Sequence, residues 1–177
     1  MEDFYKKYIR DVENFPKEGV TFKDITPLLS NSLAFNAVID NISVELERFG
    51  EVNLIAGIEA RGFIFGAAAS SLNTLGFVPI RKAGKLPPPV VSIGAKKEYG
   101  EDVLEVKRNE NVANRIVIID DVMATAGTLI AAERLLTEAG YEVVGAIVLV
   151  DLPHLHDNTD VLIGGKDRKS TRLNSSH

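Results

Sequence analysis

The run Ile116–Ile119 is four β-branched apolar residues in succession; it ends on two adjacent acids, Asp120 and Asp121, and leads into a turn of small and hydroxyl residues, Ala124–Thr128. A strand apolar on both sides is stable only inside a sheet covered on both faces, which in practice means parallel strands with helices above and below. A second apolar run, Val143–Val150, follows a segment in which Leu129, Ala132, Leu135 or Leu136 and Ala139 recur at helical spacing before Gly140 closes it. Strand, helix and strand in that order make a βαβ unit. An earlier unit is read from a strand over Asn53–Gly57, a helix from the Glu59–Gly62 turn to about Leu75, and a strand over Phe77–Arg81.

Around these units the chain punctuates itself. Residues 2–13 are read as a short helix ended by Phe15–Gly19, and Ser32 as the N-cap of a helix that buries Phe35, Val38, Ile42, Leu46 and Phe49 before Gly50 stops it. Lys82–Gly94 carries three consecutive prolines, Pro87–Pro89, and is expected to be exposed and mobile. The turn-like Tyr99–Asp102, flanked by Ala95–Glu98 and Val103–Lys107, predicts a hairpin. One domain is expected over residues 1–165, with the polar, aperiodic tail 166–177 left out of the fold as a scar.

Composition removes whole classes of function. With 45% apolar and 25% charged residues the chain reads as globular, and the absence of Cys rules out disulfides, thiolate metal sites and a cysteine nucleophile. It also suits a reducing, cytoplasmic setting. The excess of 25 acidic over 20 basic side chains, a net charge of −5, argues against a nucleic-acid partner. The N-terminus is charged where a signal peptide is apolar, and the uncharged stretch Gly62–Ile80 contains too many polar and helix-weakening residues to be a membrane span. His154 and His156, two apart with no nearby acid, read as exposed histidines rather than a metal pair.

Ligands of such sheets bind beyond the carboxyl ends of the strands. The backbone N–H groups of Ala124–Thr128, the hydroxyls of Thr125 and Thr128 and the helix dipole behind them form a natural phosphate cradle. Asp120 and Asp121 would repel that phosphate, so they face ribose hydroxyls, a cation or a basic side chain. Ordinary capping of a βα turn accounts for the same residues equally well. Neither the P-loop pattern nor the dinucleotide G-x-G-x-x-G after a strand is present.

Residues 116–128 resemble the phosphoribosyl pyrophosphate signature of the type I purine phosphoribosyltransferases. Further segments fall in the order of the adenine-specific branch: Phe15–Pro16, Gly19–Pro27, Gly57–Phe63, Arg81–Pro87 and Glu98–Gly100. The resemblance implies a twisted parallel α/β sheet flanked by helices, a small N-terminal hood (1–31) and a flexible catalytic loop and hairpin (82–103). It implies transfer of the phosphoribosyl group from phosphoribosyl pyrophosphate to adenine, in a homodimer, with Mg²⁺ held mainly by substrate oxygens and water. In that reading Ala124, Thr125, Ala126, Gly127 and Thr128 hold the 5′-phosphate and Asp120 and Asp121 the ribose hydroxyls. Ala60 and Arg61, in a turn with a non-proline cis peptide, meet the pyrophosphate, with Arg81, Lys82 and Lys85 adding positive charge. Thr21 and Lys23 read the adenine edge through their backbones and Phe22 stacks on the ring; Glu98 and Tyr99 belong to the closing loop. The catalytic set so implied is Arg61, Lys82, Asp121 and Glu98.

Two features depart from the family pattern: Ala126 stands where Gly is usual, and the chain drifts after Leu152. Two other functions share the phosphate loop, a transferase for 6-oxopurines or xanthine and a sensor of phosphoribosyl pyrophosphate without turnover. The Thr21–Lys23 segment favours adenine, and the missing basic DNA-binding segment disfavours the sensor.

Overall fold

The computed structural model describes residues 3–97, 100–110, 114–123, 127–151 and 170–172. Its elements are α1 (Asp3–Lys6), β1 (Arg10–Val12), β2 (Phe22–Asp24), α2 (Thr26–Leu29), α3 (Ser32–Leu46), β3 (Leu54–Ile58), α4 (Arg61–Leu72), β4 (Gly76–Lys82), β5 (Val91–Lys97), β6 (Gly100–Val106), β7 (Arg115–Met123), α5 (Gly127–Glu138), β8 (Glu142–Asp151) and β9 (Ser170–Arg172). A seven-stranded sheet has the order β5-β6-β4-β3-β7-β8-β9, and β1 and β2 form a separate antiparallel ribbon.

The apolar runs do what their sequence requires. In β7, Ile116 and Ile118 join one core layer with Leu129, Ala132, Leu135, Leu136 and Ala139 of the α5 region. Val117 and Ile119 join the other, with Val38, Ile39, Ile42 and Leu46 of α3 and Phe65 and Ala69 of α4. Alternate side chains of one strand thus fill two cores, and the sheet is sandwiched between helices. Phe35 and Phe49, at the ends of the α3 stripe, are only partly buried.

Several expectations need correction. The sheet is mixed: β3, β4, β7, β8 and β9 are parallel, while β6 runs antiparallel to β4 and β5 to β6. The reason is the hairpin, whose tight connection, with Lys97 opposite Gly100, can only pair its strands antiparallel. The helix read over residues 2–13 stops at Lys6, because Arg10–Val12 is drawn into the ribbon opposite Phe22–Asp24. Asn31, not Ser32, caps α3 by accepting the Ala34 N–H at 3.0 Å. β7 does not end at the twin acids; it runs on to Met123 because β8 stays alongside, with Asp120 opposite Val148 and Val122 opposite Val150. Within Lys82–Gly94, Val91 already belongs to β5 and is buried, and the turn at Gly84–Leu86 is bonded to Glu105. The excluded tail contributes β9, which pairs with Ala146–Val148 through its backbone. His154 and His156 lie outside the described residues. No helix among the described residues is long and apolar enough to cross a membrane.

Candidate active site

The carboxyl ends of β3, β4 and β7 and the first turn of α5 meet in a cleft of about 190 Å³ lined by Ile58, Glu59, Ala60, Arg61, Lys82, Leu104, Asp120, Asp121, Val122 and Thr128. Six of the residues singled out in the sequence, Ala60, Arg61, Lys82, Asp120, Asp121 and Thr128, therefore share one wall-to-wall space. The peptide between Glu59 and Ala60 is cis, in the turn where the resemblance implies one.

Close packing brings the base-bearing first turn of α4 against the acid-bearing end of β7. Gly62, in the first turn of α4, lies against β7 so tightly that a Cβ there would sit 2.7 Å from the Ile119 carbonyl oxygen and 3.1 Å from Asp120 Oδ1. That approach lets Arg61 Nε stand 2.8 Å from Asp121 Oδ2, an ion pair whose acid is almost wholly buried and whose base is 38% exposed. Among the described residues no hydrogen-bond donor is aligned on Asp121 Oδ2, so the carboxylate is held by charge with an acceptor site to spare. Asp120 Oδ1 accepts the Asp121 N–H at 2.9 Å. Desolvation and the neighbouring Asp121 carboxylate push Asp120 well above the usual carboxylate range. Burial raises Asp121 too, and it stays above the usual carboxylate value although Arg61 lowers it in part. Of the pair, Asp120 holds its proton more tightly and Asp121 is the partner of the guanidinium.

Arg61 also leans on the hood. Its Cζ lies 4.9 Å from the centre of the Phe22 ring, and Nη1 donates a long hydrogen bond of 3.4 Å to the Lys23 carbonyl. Phe22 is braced edge-on by Phe15, with ring centres 5.2 Å apart. The Lys23 ammonium turns away, to both oxygens of Asp11 at 2.7 and 2.9 Å, which ties β2 to β1. Thr21 precedes β2 and is exposed.

Glu59 is the residue whose part the sequence did not disclose. Ile58 is in register with Ile80, so Glu59 emerges beside the end of β4. Its Oε2 accepts the Lys82 backbone N–H at 2.9 Å and Arg81 Nε at 3.3 Å, and Oε1 pairs with Lys85 Nζ. Burial pushes the Glu59 carboxyl up, but the bonds from Lys85, the Lys82 N–H and Arg81 outweigh it and carry the group from 4.5 down to about 2. Arg81 and Lys85 are thus not bare charges: both are gathered on one carboxylate at the cleft wall. The signal was available in the phase of two parallel strands, which sets an acid after β3 beside bases at the end of β4.

Gly127 and Thr128 open α5 at the cleft, while Ala124, Thr125, Ala126, Glu98 and Tyr99 lie outside the described residues.

A phosphoribosyl transferase domain matches residues 25–163 of the chain. An adenine phosphoribosyltransferase of Synechococcus sp. (strain JA-3-3Ab) is 44% identical over 151 residues, covering 85% of this chain and 86% of that protein. One of Rhizobium johnstonii is 45% identical, covering 83% and 82%. The structure is similar to the crystal structure of adenine phosphoribosyltransferase from Thermoanaerobacter pseudethanolicus, with a TM-score of 0.87 and 38% identity over 99% of this chain and 100% of that one. It is also similar to the Saccharomyces cerevisiae enzyme complexed with an imino-altritol bisphosphate and adenine, at a TM-score of 0.82 and 34% identity over 87% and 90% of the two chains.

Proposed function

The chain belongs to the phosphoribosyl transferase family, and on that premise we propose how its cleft carries the 5-phosphoribosyl group from phosphoribosyl pyrophosphate to adenine, giving AMP and pyrophosphate in purine salvage. The observation that carries the reading is Arg61, which touches at once the acid pair at the end of β7 and the aromatic face of the hood. A sugar bearing phosphates at both ends and a flat base need these features side by side.

In the reaction, purine N9 attacks the anomeric carbon with inversion, the bond from that carbon to the pyrophosphate oxygen breaks, and the ring N–H proton of the purine would pass to Glu98. The ring carbon becomes cation-like and the leaving oxygens gain charge. Arg61 and Lys82 line the cleft, and Arg81 and Lys85 are held beside it on Glu59 of its wall; these cations would face the departing pyrophosphate, and preorganised cations are most effective against charge that develops during the reaction. Asp120 and Asp121 would bind the ribose hydroxyls, and Gly127 and Thr128, with Ala124–Ala126, the 5′-phosphate at the head of α5. Phe22 would stack on adenine while the backbones of Thr21 and Lys23 distinguish its amino edge from a 6-oxo group. Glu98, with Tyr99 in the closing loop, keeps its sequence-based part near the purine nitrogens.

Among the described residues no three acidic or His side chains gather as a cage for a metal. Asp121 Oδ2, buried at the same cleft and held only by its ion pair with Arg61, suits an ion brought in on substrate oxygens and water. Mg²⁺ so carried would neutralise charge on the departing pyrophosphate. The homodimer and the cytoplasmic setting belong to the same proposal.

The test is to supply phosphoribosyl pyrophosphate and Mg²⁺ with one nucleobase at a time. AMP from adenine alone is the expected product. IMP, GMP or XMP without AMP would move the assignment to another transferase, and tight binding without turnover would make the protein a sensor.

A further inference from the structure

We propose that Glu105 is a positioning residue for the pyrophosphate end of the cleft, holding the Gly84–Leu86 turn so that Lys85 and Arg81 are aimed there. The inference rests on the transferase reading above.

Glu105 lies on β6 directly opposite Arg81 of β4, and it is only 3% exposed. Its Oε2 accepts the Gly84 N–H at 3.0 Å, and its Oε1 accepts those of Lys85 and Leu86 at 2.8 and 2.7 Å. Three successive backbone N–H groups converging on one anion form a nest of the kind that elsewhere takes a phosphate. Here the chain fills it with its own carboxylate. Burial pushes Glu105 up, but these three bonds outweigh it and keep the group below the usual range, so the anion persists at neutral pH. Gly84 adopts φ +83° with open space where a Cβ would be, so the turn needs glycine for its backbone conformation rather than for room.

The turn in turn sets both cations. Lys85 sends its ammonium back to Glu59, and its carbonyl accepts Arg81 Nη1 at 3.3 Å. Arg81 is therefore fixed at two points, by Glu59 and by the turn that Glu105 holds. Glutamine cannot replace this anchor, because it has one acceptor oxygen and would point its NH₂ donors at a backbone N–H.

The experiment titrates Mg²⁺-pyrophosphate into the full chain and its Glu105→Gln and Glu105→Asp variants by calorimetry, beside steady-state kinetics and amide exchange at residues 84–86. Glu105→Gln is expected to weaken pyrophosphate binding and raise KM for phosphoribosyl pyrophosphate by about tenfold or more, since charge-assisted bonds are lost. KM for adenine should stay within about twofold, because the hood is held by other contacts. Amide exchange at residues 84–86 should quicken. Lys85→Met should also weaken pyrophosphate, and adding Glu105→Gln to it should cost less than Glu105→Gln costs alone, since only Arg81 is then left for the turn to aim. Should the Gln variant fail to fold, Glu105→Asp carries the test, its carboxylate being one methylene short of the three N–H groups. Unchanged pyrophosphate affinity in a folded variant, or adenine affinity falling by the same factor, overturns the inference while leaving AMP synthesis by the wild type as support for the transferase reading. Absence of AMP synthesis in the wild type would overturn that reading, and this inference with it.

Discussion

Replacing Glu59 by Gln removes a charge without changing shape, and the structure sets both the size and the pH dependence of the effect. The carboxylate accepts from the Lys82 N–H and Arg81 and pairs with Lys85, and its pKa falls from the ordinary 4.5 to about 2. At 1.36 kcal/mol per pH unit that is about 3 kcal/mol as an upper bound, and screening by water in the open cleft reduces it to about 1–2 kcal/mol. For a chain of this size the loss lowers Tm by roughly 2–8 °C at pH 7. The sign follows from a folded-state pKa that is depressed. The contribution is present in full above 4.5, where the unfolded chain is also ionised, and it is lost as pH falls from 4.5 toward 2. Urea unfolding of wild type and variant between pH 7 and 3 should show a difference that is flat down to about pH 5 and then shrinks. A difference that is absent at pH 7, or that stays constant to pH 3, would refute the idea that this carboxylate gathers the cations.

Gly62→Ala should destabilise the protein by about 1–3 kcal/mol, because its Cβ would lie 2.7 Å from the Ile119 carbonyl, a backbone atom with little freedom to retreat; thermal unfolding measures it. Arg61→Ala should lower kcat by about 10²–10³-fold, as losing one preorganised donor does elsewhere, and Asp121→Asn should also lower turnover strongly; wild-type rates in both would contradict the assignment. Phe22→Ala should raise KM for adenine by about tenfold or more while leaving KM for phosphoribosyl pyrophosphate nearly unchanged, as expected for the loss of one stacking face.

The parts of the fold that were legible in sequence are those whose side chains divide between core and solvent. The stripe of α3, the inward face of α5 and the apolar β7 and β8 each state their environment through periodicity. β1 does not, since all three of its residues are exposed and it exists through backbone pairing and the Lys23–Asp11 contact. β9 rests likewise on its ladder with β8. The twin acids looked like a strand end because charge seldom continues a buried strand, yet Asp120 and Asp121 continue β7 because β8 runs beside them and Arg61 pairs with Asp121. At the site, motifs nominate residues but do not say which of them meet. Glu59 with Arg81 and Lys85, and Glu105 with the 84–86 turn, are contacts across strand register between positions 19–26 residues apart, which no local pattern encodes.

On this reading a doubly phosphorylated sugar docks between the Ala60–Arg61 turn and the paired acids of β7. A crystal structure of the protein with AMP and pyrophosphate tests it most directly. The account predicts pyrophosphate against Ala60, Arg61 and Lys82, ribose hydroxyls on Asp120 and Asp121, and adenine on the Phe22 ring. Ligand density elsewhere, with the Arg61–Asp121 pair undisturbed and the cleft filled only by water, would contradict it.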